Sequence, residues 1–131
     1  MLGLEIRRKM KIQVDFNSSR EIFYKYYSGE VSFYDFEKSW YDLIRNSSYL
    51  AEVKGFLLDY RNATLALPLN ELYKISDFFL SHKKIFGDKK IAFVATTPEQ
   101  VIIPVLVGEQ DNDYQIRPFS TIEAAEHWII A

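Results

Sequence analysis

Residues 55–64 read Gly55-Phe56-Leu57-Leu58-Asp59-Tyr60-Arg61-Asn62-Ala63-Thr64, an apolar run that turns polar at Asp59. A strand buried on both faces of a parallel sheet is a continuous apolar run, and it becomes polar where it emerges at its carboxyl end. Binding sites of open α/β sheets collect outside those ends. The stretch therefore predicts a central strand, roughly Lys54 to Tyr60, followed by a polar turn. It makes Asp59, Arg61, Asn62 and Thr64 the candidate partner-binding residues. The bland alternative is a loop-fixing Asp59 beside an exposed Arg61.

Upstream of this strand, Lys11 to Phe16 alternates, with Ile12, Val14 and Phe16 on one face and Lys11, Gln13 and Asp15 on the other, as in a half-buried strand. A turn at Asn17–Arg20 leads to a second, aromatic strand over Glu21 to Tyr27. The short loop makes the two antiparallel neighbours. Tyr24 and Tyr26 share one face of it, and Phe23, Lys25 and Tyr27 the other. Ser28-Gly29 is expected to end the strand. Ser32 is a fitting N-cap, and Phe33, Phe36, Trp40, Leu43 and Ile44 fall on one stripe of a helix that should stop near Asn46-Ser47-Ser48. A short connection, Tyr49 to Val53, follows.

Downstream, Pro68 opens a helix expected to reach Lys83, with Leu69, Leu72, Ile75, Phe79 and Leu80 as its stripe. Lys90 to Ala95 reads as another buried parallel strand. Thr97, Pro98 and Gln100 supply an N-cap, a first-turn proline and a capping-box partner. Val101, Ile102, Val105 and Leu106 are that helix's apolar positions, Pro104 should kink or shorten it, and Gly108 suits its end. Tyr114 to Phe119 reads as a last strand, placed at a sheet edge by Pro118. Ser120 to Glu123 reads as a capping box for a closing helix that buries Ile122, Ala125, Trp128 and Ile129, with Trp128 as an anchor in the core. The order ββαβαβαβα implies one α/β domain over residues 1–131, a mixed and mostly parallel sheet flanked by helices. Residues 1–10 are expected to be a loosely ordered start, with Met10 an alternative first residue.

Composition narrows the function classes. The chain has 131 residues, 48% hydrophobic and 26% charged, which suits one ordinary globular domain with a sound core. A net charge of −2 makes no electrostatic case for nucleic acid or an anionic membrane as partner. The absence of cysteine excludes disulfides, thiolate chemistry and cysteine-bound zinc, and fits a cytoplasmic location. The start has no secretory h-region, and no apolar run approaches the length of a membrane span. Arg7, Arg8, Lys9 and Lys11 form a basic cluster, read as a solvated start ahead of a basic binding arm. Ten Phe, nine Tyr and two Trp suit a core built of large rings rather than an aromatic binding face.

Three stretches resemble the SpoIIAA-like family, allied to STAS domains (sulphate transporter and anti-sigma-factor antagonist). They are Ser28-Gly29-Glu30-Val31 through Asp35, Gly55 to Asp59, and Ile91 to Ala95 with Arg117-Pro118-Phe119 through Ala125 and Trp128. The resemblance implies a SpoIIAA-like fold and a non-enzymatic regulatory or protein-interaction domain. Some relatives of this fold carry lipids or small apolar ligands, so a carrier with such a ligand between helices and sheet is the alternative. A homodimer is compatible with either. In anti-sigma-factor antagonists a phosphorylatable serine follows the central Asp almost directly. Here Tyr60, Arg61, Asn62 and Ala63 follow Asp59, and Thr64 is the first serine or threonine.

No catalytic set assembles from the sequence. His82 and His127 sit near the ends of different predicted helices and read as surface residues. There is no HExxH spacing, no G-x-S-x-G elbow and no glycine-rich phosphate loop, so neither metal nor cofactor is expected.

Overall fold

The computed structural model describes residues 8–46, 48–65, 67–111 and 113–131. Residues 1–6, Arg7 of the basic cluster and Ser47 at the expected first helix end lie outside them.

Five strands, β1 (Lys11–Asn17), β2 (Ile22–Glu30), β3 (Gly55–Thr64), β4 (Lys90–Val94) and β5 (Gln115–Phe119), form one sheet in the order β1-β2-β3-β4-β5. β1 runs antiparallel to β2, and every other neighbouring pair is parallel. Between them lie helices α1 (Phe33–Asn46), α2 (Leu69–Ser81), the short α3 (Lys83–Phe86) and α4 (Pro98–Gln110). Helix α5 (Ile122–Ile130) closes the chain. The order ββαβαβαβα expected from the sequence is the observed one, with Ser48–Ala51 adding a 3-10 turn and α3 a short second helix before β4.

Parallel strands that follow one another across a sheet with right-handed crossovers place every crossover helix on one face. The larger core accordingly joins Phe36 and Trp40 of α1, Ile75 and Phe79 of α2 and Ile103 and Val107 of α4 to Phe23, Phe56, Leu58 and Phe93 of the sheet. Among the described residues helix α5 alone covers the other face, where Ala125 and Ile129 meet Ile22, Leu57, Ala92 and Val94. Aromatic rings fill the larger core. Trp40 is fully buried, and its ring centroid lies 5.1 Å from Phe86, 6.0 Å from Phe56 and 6.4 Å from Phe79, each edge to face. Phe119 and Trp128 make a separate, half-buried pair, with Lys90 and Arg117 over the indole. Trp40, not Trp128, is therefore the tryptophan anchored in the core. On α5 Ala125 and Ile129 are buried, while Ile122 and Trp128 are half-buried, Trp128 lying against Phe119 and Arg117 of the edge strand β5.

Several expected boundaries and faces move. β1 is exposed along Lys11 to Asp15 rather than half-buried, and Trp40 of α1 packs instead on Phe23 of β2 and Phe56 of β3. β2 continues through Ser28-Gly29 to Glu30. Gly29 has φ of 81°, and a Cβ there would run into the Lys9 carbonyl oxygen, so glycine lets the strand pass under that backbone. β3 does not turn after Tyr60 but runs on to Thr64. The second helix ends at Ser81, and α3 carries Phe86 into the core instead. Phe78 is buried while Leu69 is 56% exposed. α4 passes through Pro104 and Gly108 to Gln110 and buries Ile103, Pro104 and Val107, leaving Val105 outside. The cap of α5 is Thr121, whose Oγ1 accepts from the Ala124 amide at 3.2 Å, so Ser120 lies one residue too early.

Lys25 is fully buried on the α1 face of β2. Its Nζ donates to Ser39 Oγ at 2.8 Å and stands 3.7 Å from the Trp40 ring centroid. Among the described residues no carboxylate pairs with it, and burial holds its pKa well below the ordinary lysine value.

Candidate functional site

Asp59 is the last residue of β3 that pairs with β4, opposite Val94. From Tyr60 to Thr64 the strand overhangs the sheet and keeps only β2 beside it. The pairing Tyr26↔Asp59 is followed by Ser28↔Asn62, so two steps on β2 match three on β3. That extra residue is a β-bulge, a device that re-aims side chains at a sheet's edge.

Two sets of hydrogen bonds hold the overhang. Asp59, 4% exposed, accepts from the Arg61 backbone N–H and from Arg61 Nε, and its second oxygen accepts from Arg61 Nη2, each at 3.0 Å. The pair closes on itself across the bulge, and the charge-assisted contacts from Asp59 raise the Arg61 pKa further. On the other side Gln100, 1% exposed at the start of α4, donates from Nε2 to the carbonyls of Tyr60 at 2.7 Å and Ala63 at 2.9 Å. Its Oε1 accepts from the amides of Thr96 and Thr97 at 2.8 and 3.2 Å. One amide thus takes up backbone groups that would otherwise be buried without partners where the sheet ends.

The four sequence-predicted site residues fall into two groups. Asp59 and Arg61 turn toward the α5 face and pin the bulge. Asn62 and Thr64 are exposed and line an open cleft of about 860 Å³ with Ser28, Arg8, Lys9 and Lys11. Glu30 is also in its wall. A second open cleft of about 460 Å³ lies on the far side of Glu30 and Thr64, reaching Ser32, Asp35 and Leu67. The sequence reading placed the basic cluster apart from the site. The structure brings Arg8, Lys9 and Lys11 to it, and Glu30 N–H donates to the Arg8 carbonyl at 2.9 Å. The signal was present: in an antiparallel hairpin the start of β1 must return beside the end of β2.

Tyr24 and Tyr26, the aromatic strand face, stack at 6.1 Å beneath α5. Tyr24 is buried, its hydroxyl donates to Glu126, and burial followed by that carboxylate pushes its pKa up to about 12. Arg20 Nη1 holds the same Glu126 at 2.8 Å. His82 Nδ1 lies 2.7 Å from the Phe78 carbonyl, and His127 is exposed on α5. Among the described residues, no three His, Asp or Glu side chains come together as metal ligands would. No described helix is long and apolar enough to cross a membrane.

No family model matches the chain, and no curated protein does. Solved structures do match in fold. An uncharacterised protein of the DUF3478 family with a SpoIIAA-like fold, from Shewanella loihica PV-4, superposes with a TM-score of 0.63 at 15% identity, covering 98% of this chain and 99% of that one. An anti-sigma factor antagonist from Mycobacterium paratuberculosis gives 0.60 at 12% identity over 92% and 94%. The chain therefore has a SpoIIAA-like fold, as its three resembling stretches implied.

Proposed function

We propose that this protein is a non-enzymatic regulatory domain, cytoplasmic in location, that binds another protein at the open carboxyl edge of its sheet. The observation that supports this is the cleft beside the β3 overhang. Three cationic side chains, Arg8, Lys9 and Lys11, stand there around the hydroxyls and amide of Ser28, Thr64 and Asn62. Such a wall suits an acidic segment of a partner, read by charge and by hydrogen bonds. One solved structure of the same fold is an anti-sigma factor antagonist, which agrees with a protein-binding role. The alternative, a carrier of a small apolar ligand or lipid, needs room between helices and sheet. Rings at 5.1 to 6.4 Å occupy that layer.

The test is capture of partners from lysate by the immobilised chain. An Arg8→Glu, Asn62→Ala, Thr64→Ala variant, altered only at exposed positions, should keep its melting temperature and lose the proteins that the wild type retains. Retention of the same proteins would place the contact elsewhere. An apolar molecule carried along in native mass spectrometry of the purified chain would favour the carrier.

A further inference from the structure

The two edges of the sheet are built differently. Edge β5 is five residues long and carries Pro118, which has no N–H to offer a new neighbour. Edge β1 is seven residues long, contains no proline, and pairs with β2 in unbroken register from Lys11↔Ser28 to Asn17↔Ile22. It is exposed from Lys11 to Asp15, with Ile12 37% and Val14 38% exposed. An unbulged edge with exposed β-branched side chains offers a ready template for another strand.

Its sequence also selects the strand. Laid antiparallel on a second copy of itself about Gln13, Lys11 of each copy stands opposite Asp15 of the other, and Ile12 opposite Val14. Residues that face each other across a pair share a side of the sheet. Lys11 and Asp15 both lie on the Tyr24 side, through their partners Ser28 and Tyr24. Ile12 and Val14 both lie on the α1 side, opposite Tyr27 and Lys25. Two ion pairs thus form on one side and two apolar contacts on the other. Moving the centre to Val14 sets Lys11 opposite Asn17 and Gln13 opposite Asp15, and no opposite charges meet.

We propose that β1 is a homodimerisation edge, through which two copies pair antiparallel about a twofold axis at Gln13 and join their sheets into one. The contact uses the flank of β1 that faces away from β2. It needs no partner protein.

Analytical ultracentrifugation of the whole chain, up to roughly 0.5 mM, reads this directly. The wild type should associate to a dimer. Lys11→Glu and Asp15→Lys should each weaken association by about tenfold or more, since each turns two attractive pairs into repulsive ones. The decisive arm mixes the two single variants in equal amounts. In the mixed dimer the two substituted side chains, now of opposite charge, face each other. The unaltered Asp15 of one copy likewise faces the unaltered Lys11 of the other, so association should return to near the wild-type value. Melting curves check that each variant is folded, and the milder Lys11→Gln and Asp15→Asn should weaken association in the same direction. A wild type that stays monomeric overturns the proposal, as do single variants that associate like wild type or a mixture no better than its components.

Discussion

At the scale of single residues, Asp59 and Arg61 divide structure from recognition. Arg61 supplies three hydrogen bonds to a carboxylate that is 4% exposed. Removing its side chain leaves Asp59, among the described residues, with the backbone N–H alone. Arg61→Ala should therefore cost about 1–2 kcal/mol in urea unfolding although Arg61 is itself exposed, where an unpaired exposed arginine would cost almost nothing. An unchanged midpoint would return Arg61 to the recognition surface. Lys25 carries the opposite sign. Between its lowered folded pKa and the ordinary value of 10.5, the unfolded chain binds a proton that the folded chain does not, so this group's contribution to stability falls as pH falls through that window. The groups facing its amine are Ser39, Trp40 and Tyr27, which offer one hydrogen bond and two ring faces but no counter-charge. Lys25→Met should stabilise the fold by more than about 1 kcal/mol at pH 7, and the gain should shrink at pH 9.5. A gain independent of pH, or a loss, would mean that the amine stays charged in the core. Trp40→Ala should cost roughly 3–5 kcal/mol and Trp128→Ala under about 2, because only the first ring is enclosed on all sides. Both burial assignments were partly legible. Alternation sets Lys25 between Phe23 and Tyr27 on the covered face, whereas Trp128 sits on the right stripe of its helix but over the edge strand β5, where Phe119 and Arg117 leave it half-buried.

At the scale of elements, the sequence was most readable where local chemistry is complete within a few residues. Thr97 and Gln100 form the capping box that their spacing predicts. Ser32 caps α1, its Oγ accepting from the Asp35 amide at 3.1 Å. What spacing does not carry is the second task of Gln100, because the carbonyls of Tyr60 and Ala63 are supplied by another element. Gln100→Ala should cost about 2–4 kcal/mol, against about 1 for Thr97→Ala, since it also strips two buried carbonyls of their donor. Equal losses in chemical unfolding would reduce Gln100 to a cap. The length of β3 was misread for a related reason. Polar residues after Asp59 look like a turn, yet the bulge keeps them in the strand, and pairing with β2 outlasts pairing with β4. Gly55 is a tighter case. A Cβ there would come within 2.8 Å of the Lys90 carbonyl oxygen and 2.5 Å of Ile129 Cγ2. α5 therefore sits against bare backbone at the root of β3.

At the scale of the whole molecule, element order and composition settled the architecture, and the candidate site was only half visible. Its strand residues could be read from the apolar-to-polar change in β3. Its basic wall came from the other end of a hairpin, a distance that no local pattern spans. The strand order of the sheet has a consequence for how the chain comes into being. Each strand neighbours the one made just before it, so a growing chain can add them in the order of synthesis and wait for no distant partner. The second face is the exception. Ile22, Leu57, Ala92 and Val94 are in place before Ala125 and Ile129 exist, and the cover for them is the last helix to be made. Until α5 arrives the nascent sheet holds an oily side open to every other nascent sheet, and a chain that stops before Ile122 should be prone to clump.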